Sequence, residues 1–174
     1  MDLIPSFAVD HTQIVPGIYE SRVDTMGDEV VTTFDVRLKE PNKEPAIAPA
    51  AMHTMEHVVA TYLRNHPVWK DKLVYWGPMG CLTGFYMIVK GRPAALEMYP
   101  ILLESFRHMS TFEDEVPGAT PQNCGNYLMH DLPMARWEAR RYVEYLERAD
   151  KDLIFAYPQT ERLQLDDGQE FFDS

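Results

Sequence analysis

Residues 17–40 read GIYESRVDTMGDEVVTTFDVRLKE, two strand-forming runs on either side of Met26-Gly27-Asp28. Runs rich in β-branched and aromatic residues, parted by a short glycine-containing turn, predict a β-hairpin. Side chains alternate across a strand. Val30, Thr32, Phe34, Val36 and Leu38 therefore share an apolar face, while Val31, Thr33, Asp35 and Arg37 share the other. Arg37 is expected to point away from the core beneath the apolar face. A solvated charge is the ordinary state of such an arginine.

The rest of the chain supplies mostly helices. A proline-rich stretch, PNKEPAIAP, ends at Pro49, a residue suited to the first turn of a helix. That helix is expected to stop near His66, because Pro67 disfavours helical geometry in the residue before it. LTGFYMIVKG reads as a strand closed by Gly91. Pro93 opens a further helical pattern in which Pro100 predicts a kink or a late start. Residues 130–149 have helical periodicity, with His130 placed to cap the helix and Pro133 in its first turn. The order of elements predicts an α+β fold, one domain with an antiparallel sheet packed against helices. Residues 1–157 form the expected domain. Residues 158–174 carry five acids and one base and are expected to be a loosely attached tail.

With 174 residues the chain is long enough to bury one sizeable core. Its formal net charge of −11 opposes binding to phosphate backbones or anionic lipid. The N-terminus lacks the basic and apolar regions of a secretory signal, and the most apolar run, GFYMIV, is far too short to span a bilayer. A cytoplasmic protein with neither nucleic-acid nor membrane partners is expected. In that setting the two cysteines, Cys81 and Cys124, serve as thiols or ligands rather than as a disulfide.

Chemistry concentrates in the first helix, AAMHTMEHVVATYLRNH. At 100° per residue, His57 lies about 40° from His53, and Glu56 about 60° to the other side. The three side chains share one face, and imidazoles at i and i+4 can reach a single metal ion. A third ligand must come from elsewhere, and Cys81, Cys124, His108, His130 and several carboxylates are all available. Cys124 sits in TPQNCGNYLMHD, a loop where Gly125 lets backbone approach closely. Two imidazoles and a thiolate suit zinc, iron(II) or cobalt(II) and leave a position open for water or substrate. Spacing does not choose between the cysteines.

His53–His57 is an H-x-x-E-H sequence, also found in inverted-motif zinc peptidases. The chain further contains, in order, SFAVDH, FDVRLKEPN, HTMEH, PMGCLTGFY and NCGNYLMHDL. Together these resemble the S-ribosylhomocysteine lyase (LuxS) family, which makes the autoinducer-2 precursor of quorum sensing, over about Pro5 to Leu146. The resemblance implies a LuxS-like metalloenzyme fold, with metal ligands at His53, His57 and Cys124. It implies acid/base roles for Glu56 and Cys81, and substrate contacts at Ser6, His11, Arg37 and Arg64. It also implies a homodimer with active sites at the subunit interface, and one divalent ion per subunit: Fe2+, with Zn2+ or Co2+ as alternatives.

The family's substrate is a ribose joined through C5 to homocysteine sulfur. Its carbonyl is too far from the thioether for direct elimination, so two enediol isomerisations first move it along the sugar. Elimination then releases homocysteine and 4,5-dihydroxypentane-2,3-dione. A thiolate at Cys81, favoured by a nearby cation, and the carboxylate of Glu56 suit such proton transfers. Two positions depart from the family pattern. Leu82 follows Cys81 where arginine or glutamine is usual, and Tyr75 stands where an aspartate commonly meets the substrate's amino-acid end. Two other readings of the same residues are a small metallohydrolase using Glu56 to activate water, and a non-catalytic metal or ligand binder.

Overall fold

The computed structural model describes residues 9–158. In chain order the elements are β1 (Gly17–Met26), β2 (Glu29–Arg37), α1 (Pro49–Asn65), β3 (Leu73–Pro78), β4 (Gly84–Lys90), α2 (Ala95–Thr111), α3 (Leu132–Arg148) and the short α4 (Lys151–Ile154). The four strands form one antiparallel sheet in the order β1-β2-β4-β3. This is the α+β architecture expected, reached through the hairpin: Met26 pairs with Glu29, and Gly27 takes φ +64°, which L side chains rarely adopt.

One face of the sheet packs against the helices. Phe34, Val36, Phe85, Met87 and Trp76 from the strands meet Met55, Val59, Phe106, Leu102 and Tyr142 from α1, α2 and α3 in one core. Helix α1 buries Ala51, Met52, Met55, Val58, Val59 and Leu63. It starts on Pro49 and ends at His66 in an extended conformation before Pro67, as the proline rules require.

Four features differ from expectation. Strand β3 is not apparent from the sequence pattern. Pro78 at its end is tolerated because β3 is an edge strand with no neighbour to receive its missing N–H. Helix α2 begins at Ala95, where the Glu97 carboxylate accepts the Ala94 N–H at 2.7 Å, and runs through Pro100 without the late start. The cap of α3 is Asp131, whose Oδ1 accepts the Met134 N–H at 3.0 Å; His130 is directed elsewhere. Arg37 does point away from the helices, yet it is only 3% exposed. Its face of the sheet is covered by residues around His11 and Ile14 and by Tyr157 from the C-terminal side. The tail proposed for 158–174 falls, apart from Pro158, outside the described residues, as does Ser6.

Candidate metal centre

Helix α1 sets His53 and His57 against the loop joining α2 to α3, and that loop fixes both rings by backbone carbonyls. His53 Nδ1 lies 2.8 Å from the Met129 carbonyl and His57 Nδ1 2.7 Å from that of Pro117. A carbonyl only accepts, so each Nδ1 carries a proton, and in the neutral ring Nε2 is then the lone pair. The Cys124 sulfur stands 3.4 Å from His53 Nε2. Tetrahedral zinc with ordinary bond lengths would separate a thiolate and an imidazole nitrogen by about 3.6 Å. The sulfur also accepts the Asn126 N–H at 3.4 Å.

A fourth group joins them. Thr54 Oγ1 donates its single proton to the Ala50 carbonyl at 2.8 Å and accepts the Asp131 N–H at 2.9 Å. Its 3.2 Å contact with His130 Nδ1 must therefore be donated by the nitrogen. His130 Nε2 is left as a lone pair, buried and without a partner among the described residues. The His130 ring stacks on His53 with centroids 4.3 Å apart at 17°, while His53 and His57 meet edge to face at 4.6 Å. Burial, then the neighbouring imidazoles of His53 and His57, holds His130 below the ordinary histidine range. His53, His57, Cys124 and His130 each place one ligand atom within 4.8 Å of the others. Unprotonated nitrogens, a sulfur and an orphaned buried lone pair are a donor set that a borderline-soft divalent cation satisfies. The residues fit the metal. The sequence offers His130 as one of several available ligands but also as a helix cap, and its position six residues after Cys124 is the only signal that favours the ligand.

A second polar cluster lies on the outer face of the sheet. Asp35 accepts Arg37 Nε at 3.0 Å and Nη2 at 2.5 Å. The other guanidinium nitrogen, Nη1, donates to Thr83 Oγ1 at 2.6 Å and stands 3.8 Å from the sulfur of Cys81, itself 3.1 Å from Thr83 Oγ1. Burial opposes the charge on Arg37, but the carboxylate of Asp35 outweighs it and raises the guanidinium above its usual range. Cys81 is exposed and carries a free thiol, as Cys124 does. Leu82 beside it is held at φ 57° by hydrogen bonds from its N–H to Met79 O and from Ile47 N–H to its own carbonyl. Backbone strain of this kind costs a bulky residue about 1–2 kcal/mol. His11, with Nδ1 2.8 Å from the Val9 carbonyl, lines the same side as Arg37.

The two clusters are separate: among the described residues, no hydrogen bond or ring contact joins His53, His57, Cys124 or His130 to Arg37 or Cys81. Glu56 is half-buried on α1 and forms no hydrogen bond with the described residues. Arg64 is exposed, and its guanidinium donates to the carbonyls of Leu73 at 3.3 Å and Val74 at 3.0 Å, at the start of β3. Tyr75 is 46% exposed. No helix of the described residues is long and apolar enough to cross a membrane.

An α+β domain that gathers three imidazoles and one cysteine sulfur around one point has the make-up of a metal-binding protein. Comparison with known proteins gives it a family. S-Ribosylhomocysteinase (LuxS) matches residues 4–152, and the chain belongs to that family. Among its relatives, the S-ribosylhomocysteine lyase of Phocaeicola vulgatus is 56% identical over 162 residues, covering 92% of this chain and 100% of the relative. Those of Porphyromonas gingivalis (52% identical; 87% of this chain, 96% of the relative) and Clostridium beijerinckii (45%; 89% and 99%) are similar to it over nearly the same span.

Proposed function

We propose that the protein is a metal-dependent carbon–sulfur lyase that cleaves S-ribosylhomocysteine to homocysteine and 4,5-dihydroxypentane-2,3-dione. The observation that carries this reading is the convergence of His53, His57 and Cys124, with both Nδ1 protons taken up by backbone carbonyls. His53, His57 and Cys124 would hold the ion, and His130, stacked on His53, turns its Nε2 lone pair to the same point as a further donor. A divalent ion there, Fe2+ in our reading and Zn2+ or Co2+ as replacements, supplies Lewis acidity toward the sugar's oxygens.

The chain's own groups move the protons. Cys81 Sγ, 3.8 Å from the guanidinium of Arg37, takes a proton from a sugar carbon. Returning that proton to the neighbouring carbon completes one isomerisation, and Glu56 carries protons between the sugar hydroxyls and, at the last step, to the leaving sulfur. Ser6 and His11 hold the ribose hydroxyls, Arg37, already bonded to Asp35 and Thr83, acts from behind Cys81, and Arg64 lies toward the homocysteine end. The separation of the two clusters within one chain favours a homodimer in which the metal of one subunit faces the thiol of the other. Exposed Tyr127, Leu128, Met134 and Trp137, close in sequence to Cys124 and His130, offer apolar surface for that contact. The reaction is placed in the cytoplasm.

Anaerobically iron(II)-loaded protein is to be given purified S-ribosylhomocysteine with a thiol-trapping chromophore. Stoichiometric thiol release supports the lyase. No thiol release, or peptide cleavage in its place, would overturn it.

A further inference from the structure

Tyr157 lies beyond residue 152, where the family match ends, and yet it reaches the cluster around Cys81. Its hydroxyl donates to Asp35 Oδ2 at 2.8 Å. Its ring stacks on Tyr19 with centroids 4.7 Å apart at 12°. Tyr19, Asp35 and Tyr86 lie in register across β1, β2 and β4 and so share one face. Tyr157 closes over that face, with His11, Ile14, Arg37 and Tyr86 leaving a cavity of about 30 Å³, space for about one or two water molecules and too small for a sugar.

Asp35 thereby receives three donors: Arg37 Nε, Arg37 Nη2 and the Tyr157 hydroxyl. The first two fix the guanidinium plane, which alone decides where Nη1 points, and Nη1 is the atom that meets Thr83 and Cys81. The third fixes the carboxylate. We propose that Tyr157 is a positioning residue for the thiol: through Asp35 and Arg37 it holds a cationic N–H against Cys81 and so favours the thiolate. Burial, then the adjacent carboxylate, raises the Tyr157 phenol above its ordinary range, so it remains a neutral donor at any pH where the protein works. Among the described residues of the same chain, the ionisable groups that face Cys81 are Arg37 directly, with Asp35 and Tyr86 behind it.

The proposal rests on Cys81 being the proton-transfer thiol, but its test needs no sugar. Tyr157→Phe keeps the stacked ring and removes only the donor. Tyr19→Phe is the control, since it also removes a hydroxyl from the same stack, one bonded to the Val15 carbonyl and not to Asp35. Carboxamidomethylation of Cys81 is followed by peptide mass spectrometry on the metal-loaded full chain across pH, which separates it from Cys124. Tyr157→Phe is expected to displace the rate profile to higher pH, with alkylation about three-fold slower on its rising limb, while Tyr19→Phe overlays the wild type. A Tyr157→Phe profile identical to wild type, or an equal displacement in Tyr19→Phe, would overturn the proposal, whether or not S-ribosylhomocysteine is cleaved.

Discussion

Replacing Asp35 by Ala tests the outer cluster as a unit. Asp35 and Arg37 are 2% and 3% exposed, and the carboxylate is bidentate to the guanidinium. Removing one partner of a buried pair leaves the other charge in low dielectric, at a cost of about 3–5 kcal/mol. The Tyr157 hydroxyl loses its acceptor as well, which adds to the cost. For a chain of this size each kcal/mol moves Tm by about 2–4 °C, so the variant should melt about 6–20 °C below wild type. The double variant Asp35→Ala/Arg37→Met removes both charges and should recover most of that loss while leaving Cys81 without its cation. Circular dichroism melts give the stability, and the rate of Cys81 alkylation reads the thiol. An Asp35→Ala variant within about 1 kcal/mol of wild type, or a double variant less stable than the single, would refute the view that a buried, mutually dependent pair holds this face.

Cys81→Ala should retain one metal per chain by elemental analysis and release no homocysteine, whereas His57→Ala should lose the metal; the opposite pattern would reverse the two assignments. Gly84→Ala should destabilise the sheet, because a Cβ there would meet the Val36 carbonyl oxygen at 2.4 Å and Arg37 Cα at 3.0 Å; chemical denaturation should show a loss of about 2 kcal/mol or more, since backbone cannot yield as a side chain does. Alkaline titration should find buried phenols that ionise only as the fold is lost. Burial first, and nearby Asp35 second or later, raises Tyr19 and Tyr142 above the usual phenol range. A raised folded pKa means the unfolded chain ionises first, so stability is complete below about pH 10 and falls as pH climbs past it. Phenolate absorbance should therefore rise in one smooth step and one cooperative step coincident with loss of ellipticity; a single smooth step would contradict it.

What could be read from the sequence was what local chemistry decides. The hairpin follows from strand periodicity and Gly27, the limits of α1 from Pro49 and Pro67, and the pairing of His53 with His57 from helical spacing. The choice of Cys124 over Cys81 as the third donor came from resemblance, and the 3.4 Å contact with His53 is consistent with it. The misses are all long-range. Arg37 was open to reading as a solvated charge because nothing within β2 shows that His11, Ile14 and Tyr157 cover it. His130, one of several ligands the sequence offers, has its Nε2 freed as a donor only when Thr54, one residue beyond His53 on α1, accepts its Nδ1–H. Strand β3 is a short run that ends in Gly77 and Pro78, and its pairing with β4 is set by the tertiary fold. Tyr157 meets Asp35 across most of the chain's length, a contact no spacing rule contains.

X-ray absorption at the metal edge of the zinc-loaded protein tests the centre of the account most directly. One sulfur at about 2.3 Å with imidazole nitrogens at about 2.0–2.1 Å is expected, with the sulfur lost in Cys124→Ala. A shell of nitrogen and oxygen alone, or a sulfur that survives that substitution, would show that the helix-borne histidines and the loop cysteine do not grip a common ion.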